Sequence, residues 1–174
     1  MQINAYPTRL TKENADEIIR TYDIIIDGCD NFATRYLIND ICVESRGKVY
    51  VYGAIRAFEG QVSVFNYRGG PDYRHFFPDE AEMLSMPHPP KGVLGVTPGM
   101  IGCAEAAEVL KIIGEYGEVL SGKLWTINVK TMETHLILFR GIEPALFKRH
   151  LIPQLCANSR GMTTSVARLR LAHK

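Results

Sequence analysis

Asp23-Ile24-Ile25-Ile26-Asp27 is a short apolar run bounded by charge, and the turn Gly28-Cys29-Asp30-Asn31 after it leads directly into a helix-patterned stretch from Phe32 to Ser45. Strand, glycine-containing turn and helix in that order make a Rossmann-like half unit, whose strand belongs in a parallel sheet covered on both faces. Ala33, Leu37 and Ile41 are spaced four apart and are expected to face the sheet. Asn31, Arg35 and Asn39 share another side of the same helix, a polar stripe that can line a site.

The rest of the chain extends this unit. Gln2 to Tyr6 reads as a short extended piece stopped by Pro7, and Thr11 can cap a helix from Lys12 to about Thr21. Lys48 to Gly53 reads as the next strand and Gly60 to Tyr67 alternates as a half-exposed one, ended by Gly69-Gly70-Pro71. Four prolines between Phe76 and Gly92 predict a long exposed connection. Thr97-Pro98 opens a helix to about Ile113, with Gly114 placed to end it and Cys103 expected in its packed interior. Leu124 to Val129 and His135 to Phe139 form a hairpin that finishes the sheet. The expected class is α/β, an incomplete Rossmann-like mixed sheet with flanking helices over residues 1–140, followed by an atypical basic tail over 141–174.

Composition narrows the partners. The 174 residues are 46% hydrophobic and 22% charged, enough apolar material for a core, and the formal net charge of +1 gives no general attraction for nucleic acid or membrane. Only the tail is basic, with six basic residues against one acidic. Cys29, Cys42, Cys103 and Cys156 form no CxxC pair, and the start has neither the charge nor the apolar run of an export signal, so the expected location is cytoplasmic.

Three ordered segments carry a family resemblance: Asp27-Gly28-Cys29-Asp30-Asn31-Phe32-Ala33-Thr34-Arg35-Tyr36-Leu37-Ile38-Asn39-Asp40, then Gly53-Ala54-Ile55-Arg56-Ala57-Phe58-Glu59-Gly60-Gln61, then Gly92-Val93-Leu94-Gly95-Val96-Thr97-Pro98-Gly99. Over residues 1–140 the chain resembles the HesA/MoeB/ThiF family of ubiquitin-activating-enzyme-like adenylyltransferases. The resemblance implies an enzyme that uses ATP and Mg2+ to adenylate the C-terminal glycine of a ubiquitin-like sulfur-carrier protein in molybdopterin or thiamine biosynthesis. It implies that Asp30 is the catalytic aspartate near the phosphates and Mg2+, with Asn31, Arg35 and Asn39 as further nucleotide-binding residues. From residue types alone, Asp30 serves equally as the cap of the following helix, and Arg35 as half of an ion pair.

The family's Gly-rich phosphate-binding turn has no counterpart here, since neither Gly53-Ala54 nor Gly92-Val93-Leu94-Gly95 shows a G-x-G-x-x-G order between strand and helix. Three βα repeats, roughly 90 residues at ~30 per unit, would separate this sequence from a full nucleotide domain. The chain alone is therefore expected not to bind ATP, and a homodimer or a separately encoded N-terminal half is the expected source of the rest. Where relatives carry the first of two zinc-binding CxxC pairs, this chain has Asp72 and His75, and no second pair follows, so no zinc site is expected. The crossing loop has His88 where some relatives have a cysteine. The competing class is a non-catalytic carrier-binding or scaffold protein.

Overall fold

The structure, a computed structural model, describes residues 3–45, 47–86 and 92–139; the tail over 141–174, His88 and Cys156 lie outside the described residues. In chain order its elements are α1 (Ala15–Ile19), β1 (Ile24–Ile26), α2 (Phe32–Glu44), β2 (Val49–Arg56), β3 (Glu59–Phe65), α3 (Tyr73–Phe76), α4 (Glu80–Ser85), α5 (Val96–Gly114), β4 (Lys123–Asn128) and β5 (Glu133–Leu138). The strands form one sheet in the order β1-β2-β3-β4-β5. β1 and β2 are parallel, joined through α2, and every later neighbour is antiparallel, so the sheet is mixed as expected.

Side-chain alternation along β2 divides the interior in two. Tyr50 and Tyr52 face α2 and join Tyr36, Phe65, Tyr73, Phe76 and Phe77 in an aromatic core. Tyr73 anchors it, with ring centroids 4.7 Å from Phe77 and 5.0 Å from Tyr36. On the opposite face α5 packs Ile101 against Val62 and Ile127. Two glycines admit α5 so closely: a Cβ on Gly60 would lie 2.4 Å from Ile101, and one on Gly53 would lie 2.4 Å from the Glu105 carboxyl carbon.

Several expectations need correction. Of the extended piece expected over Gln2 to Tyr6, residues 3–6 are exposed and join no strand of the sheet, Tyr6 Oη lying 3.5 Å from Tyr22 Oη. α1 is short, Ala15–Ile19, and starts three residues later than expected, with Asn14 at its N-cap; the turn before it is closed by Thr11 N donating to Asn14 Oδ1 at 2.8 Å and Ala15 N to the Thr11 carbonyl at 2.9 Å. On α2 the buried set is Arg35, Tyr36, Ile38, Asn39, Ile41 and Cys42, whereas Ala33 is exposed and Leu37 half-buried. The polar stripe thus points inward, since its groups find partners there. The Phe76 to Gly92 stretch is not one exposed connection: α4 follows α3, and Phe76, Phe77 and Met83 are buried beneath it. Cys103 is exposed, because α5 buries the stripe Thr97, Ile101, Glu105 and Glu108 and turns Cys103 away from it. α5 also starts before Pro98, at Val96; Gly114 is its last residue, and Glu115 just beyond takes the left-handed conformation that caps it.

Candidate functional site

β1 ends at Ile26, and the chain leaves the sheet through Asp27, Gly28, Cys29 and Asp30 before α2 begins. The carboxyl end of a parallel strand is where open α/β sheets place ligands. Asp30 is exposed here, its Oδ1 accepting from Asn31 Nδ2 at 3.2 Å. The cap of α2 is Asn31, whose Oδ1 accepts from Thr34 N at 2.9 Å. Capping therefore does not occupy Asp30, whose oxygens face solvent beside the N-terminus of a 13-residue helix. An exposed carboxylate of this kind is an oxygen ligand of the sort a hard cation takes together with waters and phosphate oxygens, so Asp30 could hold Mg2+.

Arg35 and Asn39 lie deeper. Arg35 is 7% exposed, with Nε 2.9 Å from Asp27 Oδ2 and Nη2 2.8 Å from the Cys29 carbonyl oxygen. Its guanidinium also sits 5.3 Å from the centre of the Tyr52 ring. Asn39 is fully buried, and its Oδ1 accepts from Tyr73 N at 2.8 Å, fixing α3 against α2. The turn brings Asp30 and Asn31 together at the surface, while Arg35 supports that turn from inside and Asn39 belongs to the packing below.

Two residues that the sequence reading did not single out complete the electrostatics. Asp27, 3% exposed, accepts from Cys29 N at 2.7 Å on Oδ1, and from Arg35 Nε and Tyr50 Oη, each at 2.9 Å, on Oδ2. Glu105 reaches the same region from α5 on the other face of β2, 7% exposed and with Oε1 lacking a hydrogen-bond partner. Burial, and then the Asp27 charge, push its carboxyl up to about 7. Burial, followed by Asp27, likewise pushes the Cys29 thiol up to about 12, leaving it a poor nucleophile. The available signal was an acid directly after an apolar strand, an arginine one helical turn into the next element and alternate tyrosines on the following strand.

Asp72 and His75 pair with each other: Asp72 Oδ1 accepts from His75 N at 2.9 Å and lies 2.8 Å from His75 Nδ1, a capping box for α3. Among the described residues, no three His, Cys, Asp or Glu side chains gather as a metal-binding group. No described helix is long and apolar enough to cross a membrane.

A βαβ unit with an exposed acidic turn at its strand end, extended by an antiparallel hairpin, defines a Rossmann-like α/β protein. The ThiF family profile matches residues 1–144, and the chain belongs to that family. It is 50% identical over 131 residues to a probable molybdopterin-synthase adenylyltransferase of Pyropia yezoensis, a match covering 74% of this chain and 34% of the relative. It is 41% identical over 154 residues to a sulfur carrier protein adenylyltransferase of Thermus thermophilus, covering 85% of this chain and 52% of the relative. Among solved structures, E. coli MccB shares the fold with a TM-score of 0.60 at 17% identity, covering 74% of this chain and 40% of that one. The chain thus spans between a third and a half of the length of these proteins.

Proposed function

We propose that this chain forms one wall of an ATP-dependent adenylyltransferase site that activates the C-terminal glycine of a ubiquitin-like sulfur-carrier protein. The reading is carried by the exposed Asp30 carboxylate at the end of β1, the strand at the bare edge of the sheet. A parallel strand is ordinarily covered on both faces, yet Ile26 on β1 is 53% exposed, which leaves room for a neighbouring strand and helix. Such a unit, with its phosphate-binding turn, would place nucleotide phosphates over Asp30 and the start of α2.

In the reaction a carrier carboxylate oxygen bonds to the α-phosphorus of ATP while the bond from that phosphorus to the bridging oxygen breaks. Pyrophosphate leaves with the bond's electron pair, and an acyl-adenylate remains. Asp30 would help hold Mg2+, which when bound would supply charge neutralisation for the phosphates. Asn31 fixes the start of α2, and Arg35 holds the Cys29 peptide behind the turn. No protein thiol is needed for this step. The names of the relatives support a sulfur-carrier partner and the molybdopterin branch.

The test mixes the chain with a polypeptide carrying the Gly-rich strand, turn and helix of a relative, adds a sulfur carrier, and measures ATP–pyrophosphate exchange. Carrier-dependent exchange is the expected result, and its absence with folded components would overturn the reading. The exposed β5 edge, with Leu136 and Leu138 on its surface, favours binding without catalysis as the second reading. Saturable carrier binding in a mixture that performs no exchange would select it.

A further inference from the structure

Only Gly28 and Cys29 separate Asp27 from Asp30, and Gly28 is exposed, with open space where a Cβ would stand. A glycine in such a segment leaves the backbone free to take many directions, so the heading of Asp30 must be set by something else. The Cys29 peptide is held at both ends. Its N–H donates to Asp27 Oδ1 at 2.7 Å, and its carbonyl accepts from Arg35 Nη2 at 2.8 Å. Arg35 is itself oriented by Asp27 Oδ2 at 2.9 Å, and Tyr50 Oη donates to that same oxygen from β2. One buried carboxylate therefore ties the end of β1, the first turn of α2 and the middle of the parallel strand pair to the peptide preceding Asp30.

We propose that Asp27 is the positioning residue of this site: by clamping Cys29 directly and through Arg35, it sets the direction in which Asp30 presents its carboxylate. The catalytic part of this inference rests on the reading of Asp30 given above, whereas the clamp is a property of the chain itself. A purely structural Asp27–Arg35 pair would need only opposite charges at short range. A clamp needs the carboxylate oxygens placed where Cys29 N and Arg35 Nε can both reach them, because hydrogen-bond strength falls steeply with misalignment. The two roles therefore separate on replacement by a carboxylate with a longer stem.

The first measurement uses the unaltered chain and follows amide hydrogen exchange by nuclear magnetic resonance. The Cys29 amide should exchange about tenfold more slowly than that of Gly28. Equal rates at the two positions would overturn the clamp. The second compares Asp27→Glu with the unaltered chain. Charge pairing with Arg35 survives, but the amide resonances of Cys29, Asp30 and Asn31 should move while those of β4 and β5 stay. Unmoved turn resonances in the folded variant would reduce Asp27 to an ion-pair partner. In the reconstituted exchange assay Asp27→Glu should lower kcat by about a hundredfold, with the carrier KM unchanged, as expected when a reacting group is misplaced by about 1 Å. If the unaltered mixture shows no exchange, the functional reading falls, and the hydrogen-exchange result still decides the clamp.

Discussion

Arg35 takes a permanent charge into an interior of tyrosines, and Asp27 is the group that offsets it there. Removing one member of a buried pair leaves the other desolvated and uncompensated, so Arg35→Ala should lower stability by about 3–5 kcal/mol, read from urea unfolding. Glu105 makes a prediction of the opposite kind. Its folded carboxyl titrates near 7, above the ordinary value of 4.5, so between those pH values the folded state holds a proton that the unfolded state has lost. Stability from this group therefore falls as pH rises from about 4.5 through 7. Glu105→Gln should flatten that slope and make the protein more stable at pH 8, by an amount on the order of 2–3 kcal/mol; an unchanged slope in thermal melts across the range would contradict it. At this scale the sequence was only partly legible. Asp30 and Asn31 stood out because a family pattern marks them, but nothing in the spacing of Asn31, Arg35 and Asn39 says whether a polar stripe meets solvent or the interior. That depends on Asp27, Tyr50 and Tyr73, supplied by three other segments.

Elements were easier to read where periodicity ran long. β1, α2, β2, α5 and the β4–β5 hairpin follow directly from apolar spacing and turn residues, whereas β3 lies where it was expected but is buried from Gly60 to Phe65 on both faces, not half-exposed, because α5 covers one face and the aromatic core the other. α3 and α4 did not, because four and six residues are too few to display a helical period and the surrounding prolines argued for a loop. Each carries a local cap, Asp72 on α3 and Asp79 on α4, and α3 is also docked from outside: Tyr36 Oη donates to the Phe77 carbonyl at 2.7 Å, and Arg74 forks onto Asp40 at 2.7 Å from both Nε and Nη2. The docking of α5 gives the sharpest test of packing between elements. Gly60→Ala drives a methyl into Ile101, and in a filled interior that should cost about 1–3 kcal/mol. Pairing it with Ile101→Ala should recover part of the loss in a double-mutant cycle; strictly additive melting shifts would mean that α5 does not rest on Gly60.

At the scale of the whole molecule, the sheet ends in two edge strands among the described residues, β1 and β5. β2, β3 and β4 are flanked by strands, whereas among the described residues β1 pairs with β2 alone, and its Ile26 is 53% exposed. Exposed apolar surface next to an unpaired strand edge is the mark of a face that another unit covers. The central claim is that the Asp30 turn is half of a nucleotide pocket, completed by such a unit. The most direct measurement is calorimetric titration of MgATP into the chain, into its mixture with the strand-turn-helix unit of a relative, and into the same mixture with Asp30→Asn. The account predicts no saturable binding by the chain, saturable binding by the mixture, and a large loss of affinity on Asp30→Asn. Saturable binding by the chain alone, or a mixture that binds equally well with Asp30→Asn, would contradict it.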